Sequence, residues 1–159
     1  MTELKYARNI VTADTERKAN IMPGPSPEVV KMMEEERKAG NYIDRTIMFV
    51  ILDAIVKGSF YAGCEWIWEL KGNKPMMVES AHSHDFDEII GLVGCRREGP
   101  HDLGGEVEFW MEDEQYVFTK ACLIFIPKET KHCPLTFRRV DSPIFMFEAA
   151  NSPAYIKNK

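Results

Sequence analysis

The sequence contains little that would attract nucleic acid or a membrane. Its formal net charge is -5, and such a surface has no general attraction for phosphate backbones or anionic lipids. The longest apolar stretch, TIMFVILDAIV, is interrupted by Asp53 and is too short to span a bilayer. No apolar segment of signal-peptide length follows Met1. We therefore expect a cytoplasmic protein with neither a nucleic-acid partner nor a membrane partner.

The sequence also lacks the paired cysteines of a cysteine-built zinc site. Its four cysteines are Cys64, Cys95, Cys122 and Cys133, and no two of them form a C-x-x-C pair. We interpret them as free and mostly buried thiols. Of the 159 residues, 45% are hydrophobic and 28% are charged, which is enough apolar material for one domain without disulfides.

Residues 1–44 form a polar N-terminal arm with one short helix, predicted at about residues 27–39. Ser26 is a good N-cap, Pro27 suits the first helical position, and Gly40 follows the predicted end. The helix can serve as a lid or a dimer contact. We favour a helix that packs on the outside of the following domain.

Residues 45–150 read as a series of short strands. Segments such as EVEFWME, CLIFIPKE and PIFMFEA are rich in β-branched and aromatic residues, and turn residues separate them. In EVEFWME, apolar Val107, Phe109 and Met111 alternate with Glu106 and Glu108. This pattern predicts an all-β sandwich or barrel. Residues 151–159 are interpreted as a C-terminal tail.

The stretch HSHDFDE holds two of the four histidines of the chain. On a strand, residues two apart point to the same face, so His82 and His84 would lie side by side. Glu88 has the same parity and can join them if the strand stays extended or bends gently after Asp85. Two imidazoles and a carboxylate on one face are typical ligands of a transition metal.

A further histidine follows the apolar strand in LIFIPKETKHCPL. His132 comes just after a polar turn and can return over the same site. His101, in GPHDLGG, lies between glycine and proline residues and is interpreted as a plain turn residue. The alternative for HSHDFDE is a pair of exposed polar histidines beside a solvated glutamate.

These two stretches resemble the two motifs of the cupin family over roughly residues 60–150. HSHDFDE followed by Gly94 is similar to the first motif, H-x-H-x(3,4)-E ending in glycine, and PKETKH is similar to the second, P-x-G-x-x-H. The resemblance implies a small antiparallel β-barrel (a double-stranded β-helix, or jelly roll). It also implies the metal ligands His82, His84, Glu88 and His132.

The sequence departs from the cupin pattern at residues that shape turns. Met76, Ala121 and Glu129 stand where the family usually has glycine, and Thr136 stands where it usually has asparagine. All four ligand residues are present. We interpret Glu129 as a sign of a different turn geometry in the second motif.

The two tryptophans of CEWIWEL offer one hypothesis about the pocket. Trp66 and Trp68 share a face with Cys64 and Leu70 and can flank the metal, where they would favour a ring-bearing or apolar ligand. The alternative, which we favour, is packing in the barrel core or at a dimer interface.

Charged residues near the motifs offer further hypotheses. Arg138 or Arg139 can bind a substrate carboxylate, although exposed charge is the favoured interpretation. Asp85 or Asp87 can orient an imidazole or act as a base.

The resemblance implies one divalent transition metal per chain: iron, manganese, nickel, cobalt, copper or zinc. We expect a metal-dependent enzyme of dioxygenase, isomerase, decarboxylase or lyase type that acts on a small oxygenated organic molecule. The alternatives are a metal-bearing cupin that binds or senses a small molecule without turnover, and a metal-free storage or structural barrel. We also expect a homodimer in which the arm contributes to the interface or covers a barrel face.

Overall fold

The chain is built mainly from antiparallel strands. The structure is a computed structural model that describes residues 5–13, 15 and 27–158. Within these residues the elements are a 3-10 helix at Ala7–Asn9, α1 at Pro27–Lys38, and the strands β1 Tyr42–Ile51, β2 Tyr61–Lys71, β3 Met76–Glu79, β4 Glu88–Gly94, β5 Asp102–Met111, β6 Glu114–Lys120, β7 Cys122–Ile126, β8 His132–Val140 and β9 Ile144–Ala150.

The described strands form two sheets that face each other. One sheet has the order β1-β2-β9-β4-β7, and the other has the order β3-β8-β5-β6. Every pair of neighbours is antiparallel. Apart from the pairs β1–β2 and β5–β6, each strand lies in the opposite sheet from the strand before it. The chain therefore winds around a common core. This arrangement confirms the predicted all-β barrel of jelly-roll type.

Alternation along each strand places one set of side chains between the sheets. In β2, Tyr61, Gly63, Glu65 and Ile67 are buried, and the residues between them are partly exposed. The largest fully buried apolar side chains are Tyr61, Phe109, Phe137, Ile67, Leu92, Leu103, Ile126 and Ile144. Burial of one such side chain contributes about 1.5–3 kcal/mol, so this core is the main source of stability.

Helix α1 lies against the outside of the barrel. Its Val29 is buried, and the Glu36 carboxylate accepts hydrogen bonds from Lys74 at 2.8 Å and from Asn41 at 2.6 Å. Gly40 follows the helix with φ +87°, a conformation that glycine adopts without strain. The predicted N-cap, Ser26, lies outside the described residues. No helix in the described ranges combines the length and apolar character needed to cross a membrane.

The segment after β9 folds back over one end of the barrel. Tyr61 N donates to Ser152 O at 2.7 Å, and Asn158 N donates to Ser83 O at 2.7 Å. These bonds fix Tyr155, which is only 7% exposed, against the barrel end. The C-terminal tail therefore covers the same end of the barrel as the histidine motif.

Candidate metal centre

The four predicted ligands come from three places in the chain. His82 and His84 follow the end of β3, Glu88 is the first residue of β4, and His132 is the first residue of β8. Of the two forms considered for HSHDFDE, the structure has the bend and not the extended strand, because β3 ends at Glu79 and the chain bends at residues 85 and 86. The three side chains of the first motif converge through this bend, which carries Glu88 from one sheet to the other.

Backbone hydrogen bonds join the two motifs. His82 N donates to His132 O at 3.0 Å, and His132 N donates to His82 O at 2.9 Å. Glu129 N donates to His84 O at 2.7 Å. The second-motif turn therefore docks on the first motif, and the relative positions of the histidines depend on main-chain bonds that do not involve their side chains.

Three of the four side chains form a close group. His84 Nε2 lies 3.0 Å from Glu88 Oε2, and His132 Nε2 lies 3.4 Å from the same oxygen. One ligand atom from each of these residues lies within 4.8 Å of the others. The His82 ring lies beside them, with its centroid 4.3 Å from that of His132. His84, Glu88 and His132 are at most 1% exposed, and His82 is 8% exposed.

Each imidazole is oriented by a backbone carbonyl. Nδ1 lies 2.8 Å from Ser80 O in His82, 2.7 Å from Phe86 O in His84 and 2.9 Å from Thr130 O in His132. A carbonyl oxygen only accepts, so each Nδ1 carries the hydrogen. The Nε2 atom of each neutral ring therefore keeps its lone pair. Metal-binding histidines are commonly held in this way.

The centre of the cluster contains mainly acceptors. Three Nε2 lone pairs and the Glu88 carboxylate meet there, while the Tyr155 hydroxyl is a donor at 3.1 Å from His82 Nε2 and 3.4 Å from Glu88 Oε2. Within the described part of the chain, buried Glu88 Oε1 and His132 Nε2 have no hydrogen-bond partner. Buried acceptors without a donor are costly, so the cluster requires a cation: a proton on an imidazole or a metal ion.

The surroundings favour the metal-binding protonation states of Glu88 and His82. Burial would raise the pKa of Glu88, but interactions with His132 and His84 outweigh it and lower this pKa to about 2. Burial lowers the pKa of His82 to about 4. A carboxylate and a neutral imidazole are the forms that bind metals. The residues present therefore fit a divalent transition metal.

A cavity of about 190 Å³ opens beside the cluster, within the barrel. Its walls are partly apolar, and the polar and charged residues that line it are His82, Tyr155, Glu65, Glu79, Glu148, Arg45 and Lys157. Pockets for drug-sized ligands span about 300–1,000 Å³. The volume therefore suits a small molecule.

The three glutamates that line this cavity, Glu65, Glu79 and Glu148, are not among the site residues predicted from the sequence. Glu148 accepts a hydrogen bond from the Tyr61 hydroxyl, and burial raises the pKa of Glu148 to about 7. Glu65 is 7% exposed and lies 3.5 Å from Arg45, while its Oε2 has no hydrogen-bond partner among the described residues. A charged residue inside an apolar strand such as PIFMFEA is a signal that could have found Glu148.

The tryptophan hypothesis is wrong. Trp66 and Trp68 stack on each other at 5.2 Å, and Trp66 contacts Phe145 at 5.1 Å. Both lie on the face of β2 opposite to buried Glu65 and Ile67, so they do not flank the cluster. Trp68 is 41% exposed. The tryptophans belong to the outer surface of the five-stranded sheet.

The other charged candidates also lie away from the imidazoles. Arg138 pairs on the surface with Glu106 and Glu108, and Arg139 pairs with Asp141. The favoured interpretation of exposed arginines therefore agrees with the structure.

The aspartates of the first motif do not orient the histidines. Asp87 accepts hydrogen bonds from Lys128 N and Asn151 Nδ2, Asp85 is exposed, and backbone carbonyls hold the rings. His101 is an exposed turn residue, as expected.

Fold and site together define a cupin barrel, with both motif segments at one end of two facing antiparallel sheets. Among solved structures, KdgF from Halomonas sp. is similar at 18% identity, with 71% of this chain and 80% of that chain covered and a TM-score of 0.42. A cupin 2 domain-containing protein from Halorhodospira halophila is similar at 10% identity. The match covers 74% of this chain and 69% of that chain, with a TM-score of 0.46. An oxalate oxidase is similar at 14% identity. The match covers 69% of this chain and 52% of that chain, with a TM-score of 0.44.

No protein-family profile and no curated protein matches the chain. The likeness to solved structures concerns the fold, so neither a substrate nor a reaction is carried over from them.

Proposed function

We propose that this protein is a metal-dependent cupin enzyme that acts on a small oxygenated organic molecule. His82, His84, Glu88 and His132 would hold one divalent transition metal, which is iron, manganese, nickel, cobalt, copper or zinc. The observation that carries the proposal is the shared orientation of the rings. All three Nδ1 atoms face backbone carbonyls, so each Nε2 keeps its lone pair, and those of His84 and His132 lie 3.0 Å and 3.4 Å from Glu88 Oε2.

The donor set explains what the metal would supply. Such an ion acts as a Lewis acid on a substrate oxygen or lowers the pKa of bound water. Four protein ligands leave one or two positions of a six-coordinate ion for substrate or water. His82 lines the cavity, whereas His84, Glu88 and His132 do not. We therefore place the open positions on the His82 side.

The cavity residues favour an enzyme over a binding module. Glu148 has a pKa of about 7 and can release or take up a proton at neutral pH, which suits a general acid or base. Its carboxyl is held by the Tyr61 hydroxyl. The unpartnered Oε2 of Glu65 is an acceptor for a hydroxyl or amino group of a ligand.

Metal content tests the centre directly. The wild type, purified without chelator, should contain one transition-metal ion per chain by elemental analysis, because four ligands are preorganised around it. His132→Ala should lose the ion. His101→Ala is the matched control, because His101 is exposed in a turn, and it should keep the ion. A wild type that stays metal-free and cannot be loaded with any of the six metals would contradict the proposal.

Turnover separates the enzyme from the alternative of a non-catalytic binder or sensor. The metal-loaded wild type and His132→Ala would be incubated with mixtures of small hydroxy acids, diols and sugars and followed by proton NMR. Product formation by the wild type alone supports the enzyme. Ligand line broadening without any product supports the binding module.

A further inference from the structure

We propose that Cys133 is a further ligand of the metal, through its thiolate sulfur. This inference rests on the proposed metal centre and adds a residue to it. The bond forms between Sγ and the ion, and the thiol proton leaves to water.

A bulge in β8 brings Cys133 to the site. Met111 of β5 pairs with His132 of β8, and Phe109 of β5 pairs with Leu135 of β8. One residue of β5 therefore lies opposite two residues of β8 between these pairs. Cys133 is the extra residue, with φ 66° in the left-handed region. Such a bulge interrupts strict alternation. As a result, adjacent His132 and Cys133 are both buried, at 1% and 4% exposure.

The ligand atoms of Cys133, His82 and His132 lie close enough to bind one ion. A ring nitrogen of His82, a ring nitrogen of His132 and Cys133 Sγ all lie within 4.8 Å of one another. His132 also belongs to the group with His84 and Glu88. Its Nε2 is buried and has no hydrogen-bond partner in the described ranges, so one lone pair is available where the two groups meet.

Cys133 also lines the cavity, together with His82 and Tyr155. Cys133 therefore lies where the cluster meets the space for a small ligand, and as a fifth ligand it would leave one position of a six-coordinate ion open. A thiolate is a softer donor than a carboxylate, and it favours zinc, copper and cobalt over manganese. Cys133 would narrow the set of metals that four nitrogen and oxygen donors leave open.

Cobalt substitution tests the inference by spectroscopy. The apo protein would be titrated with Co²⁺, and thiolate-to-cobalt charge transfer would be followed in the near ultraviolet, beside the visible ligand-field bands. The variants are Cys133→Ser and, as a matched control, Cys122→Ser. Cys122 is half-buried on β7 and belongs to neither group of potential ligands found in the described chain.

The expected result is charge transfer in the wild type and in Cys122→Ser, and its loss in Cys133→Ser with the ligand-field bands retained. Stoichiometric cobalt binding by the wild type without charge transfer would overturn the inference while leaving the metal centre intact. Charge transfer that persists in Cys133→Ser would also overturn it. Absence of cobalt binding in the wild type would overturn the metal centre and the inference together.

If the Cys133→Ser variant does not fold, X-ray absorption spectroscopy of the zinc-loaded wild type tests the same inference. A zinc–sulfur distance of about 2.3 Å supports the thiolate ligand, and a shell of only nitrogen and oxygen at about 2.0–2.2 Å contradicts it. The same measurement on Cys122→Ser should match the wild type.

Discussion

Glu148 shows how a single side chain couples the cavity to pH. It is a partly buried carboxyl in an apolar strand, and it accepts a hydrogen bond from Tyr61. Burial raises the pKa of Glu148 from 4.5 to about 7, although the bond from Tyr61 acts in the opposite direction. The folded protein therefore retains this proton over a pH range in which the unfolded chain has lost it.

We predict that Glu148→Gln changes the pH dependence of stability. Since the folded pKa is raised, the unfolded state binds fewer protons between about pH 4.5 and 7, and wild-type stability falls as pH rises through this window. Glutamine can still accept from Tyr61 but does not ionise. The free energy of unfolding of Glu148→Gln relative to wild type should therefore increase from pH 4 to pH 8, by up to about 3 kcal/mol.

Urea unfolding at a series of pH values checks this prediction. Glu98→Gln, at an exposed turn, is the matched control and should leave the wild-type slope unchanged. Parallel stability curves for Glu148→Gln and wild type would show that the Glu148 carboxyl does not hold its proton in the folded state.

At the scale of elements, the second-motif turn corrects the interpretation of Glu129. We expected a different turn geometry because the cupin pattern usually has glycine there. The structure instead places Glu129 at φ 66°, the left-handed conformation that favours glycine. The turn keeps its geometry, and its main chain still donates to His84 O. The side chain of Glu129 is exposed, so the strain has no packing contact to offset it.

We predict that Glu129→Gly stabilises the protein. Relief of the left-handed strain gains about 1–2 kcal/mol, and the added freedom of glycine in the unfolded chain costs about 0.5–1 kcal/mol. The net gain should be roughly 0.5–1 kcal/mol in chemical unfolding. Glu114→Gly is the control and should destabilise, because Glu114 is the exposed first residue of β6 and has no positive φ. A loss of stability in Glu129→Gly would show that the carboxylate has a role of its own.

The two motifs show how far the sequence could predict the site. The spacing of HSHDFDE and PKETKH was enough to select four side chains that the fold brings together. Alternation on an extended strand does not explain the first motif, because it does not apply across the bend at Asp85 and Phe86, whereas the alternative of a bend after Asp85 agrees with the structure. That Cys133 is buried directly beside His132 could not be predicted for a related reason. A bulge that turns two adjacent residues inward depends on pairing with β5, which local sequence does not encode.

The pocket was less predictable than the ligands. In CEWIWEL, alternation correctly divides tryptophans from Glu65, but it does not say which set faces inward. That choice depends on which face the opposite sheet covers. Tyr155 comes from a tail with no strand pattern, and only the hydrogen bonds of that tail to the barrel reveal its position.

At the scale of the whole molecule, the outer face of the five-stranded sheet is apolar. Leu123 and Phe125 on β7 are 70% and 59% exposed. Phe49 on β1, Trp68 on β2 and Ile89 on β4 are 37–41% exposed. Strand β7 lies at the edge of this sheet, and exposed apolar edges tend to find a partner. The homodimer remains a prediction, and this face supports a second copy as the partner.

We predict that Leu123→Lys/Phe125→Lys shifts the protein to monomers, because charges on both exposed side chains oppose burial against a second copy. Sedimentation velocity over a range of concentrations checks this. Val117→Lys is the control, because Val117 is 44% exposed on the other sheet, and it should leave the oligomeric state unchanged. A wild type that sediments as a monomer at all concentrations would exclude this interface.

The strand order also has a consequence for synthesis of the protein. Strand β9, at Ile144–Ala150, lies between β2 and β4 in the five-stranded sheet. While the ribosome is still adding these residues, β2 and β4 have no partner on that side, and the apolar side chains of both strands stay accessible. Sheets closed by such distant pairing fold slowly. Slower translation or a lower growth temperature should therefore favour recovery of folded protein over aggregates.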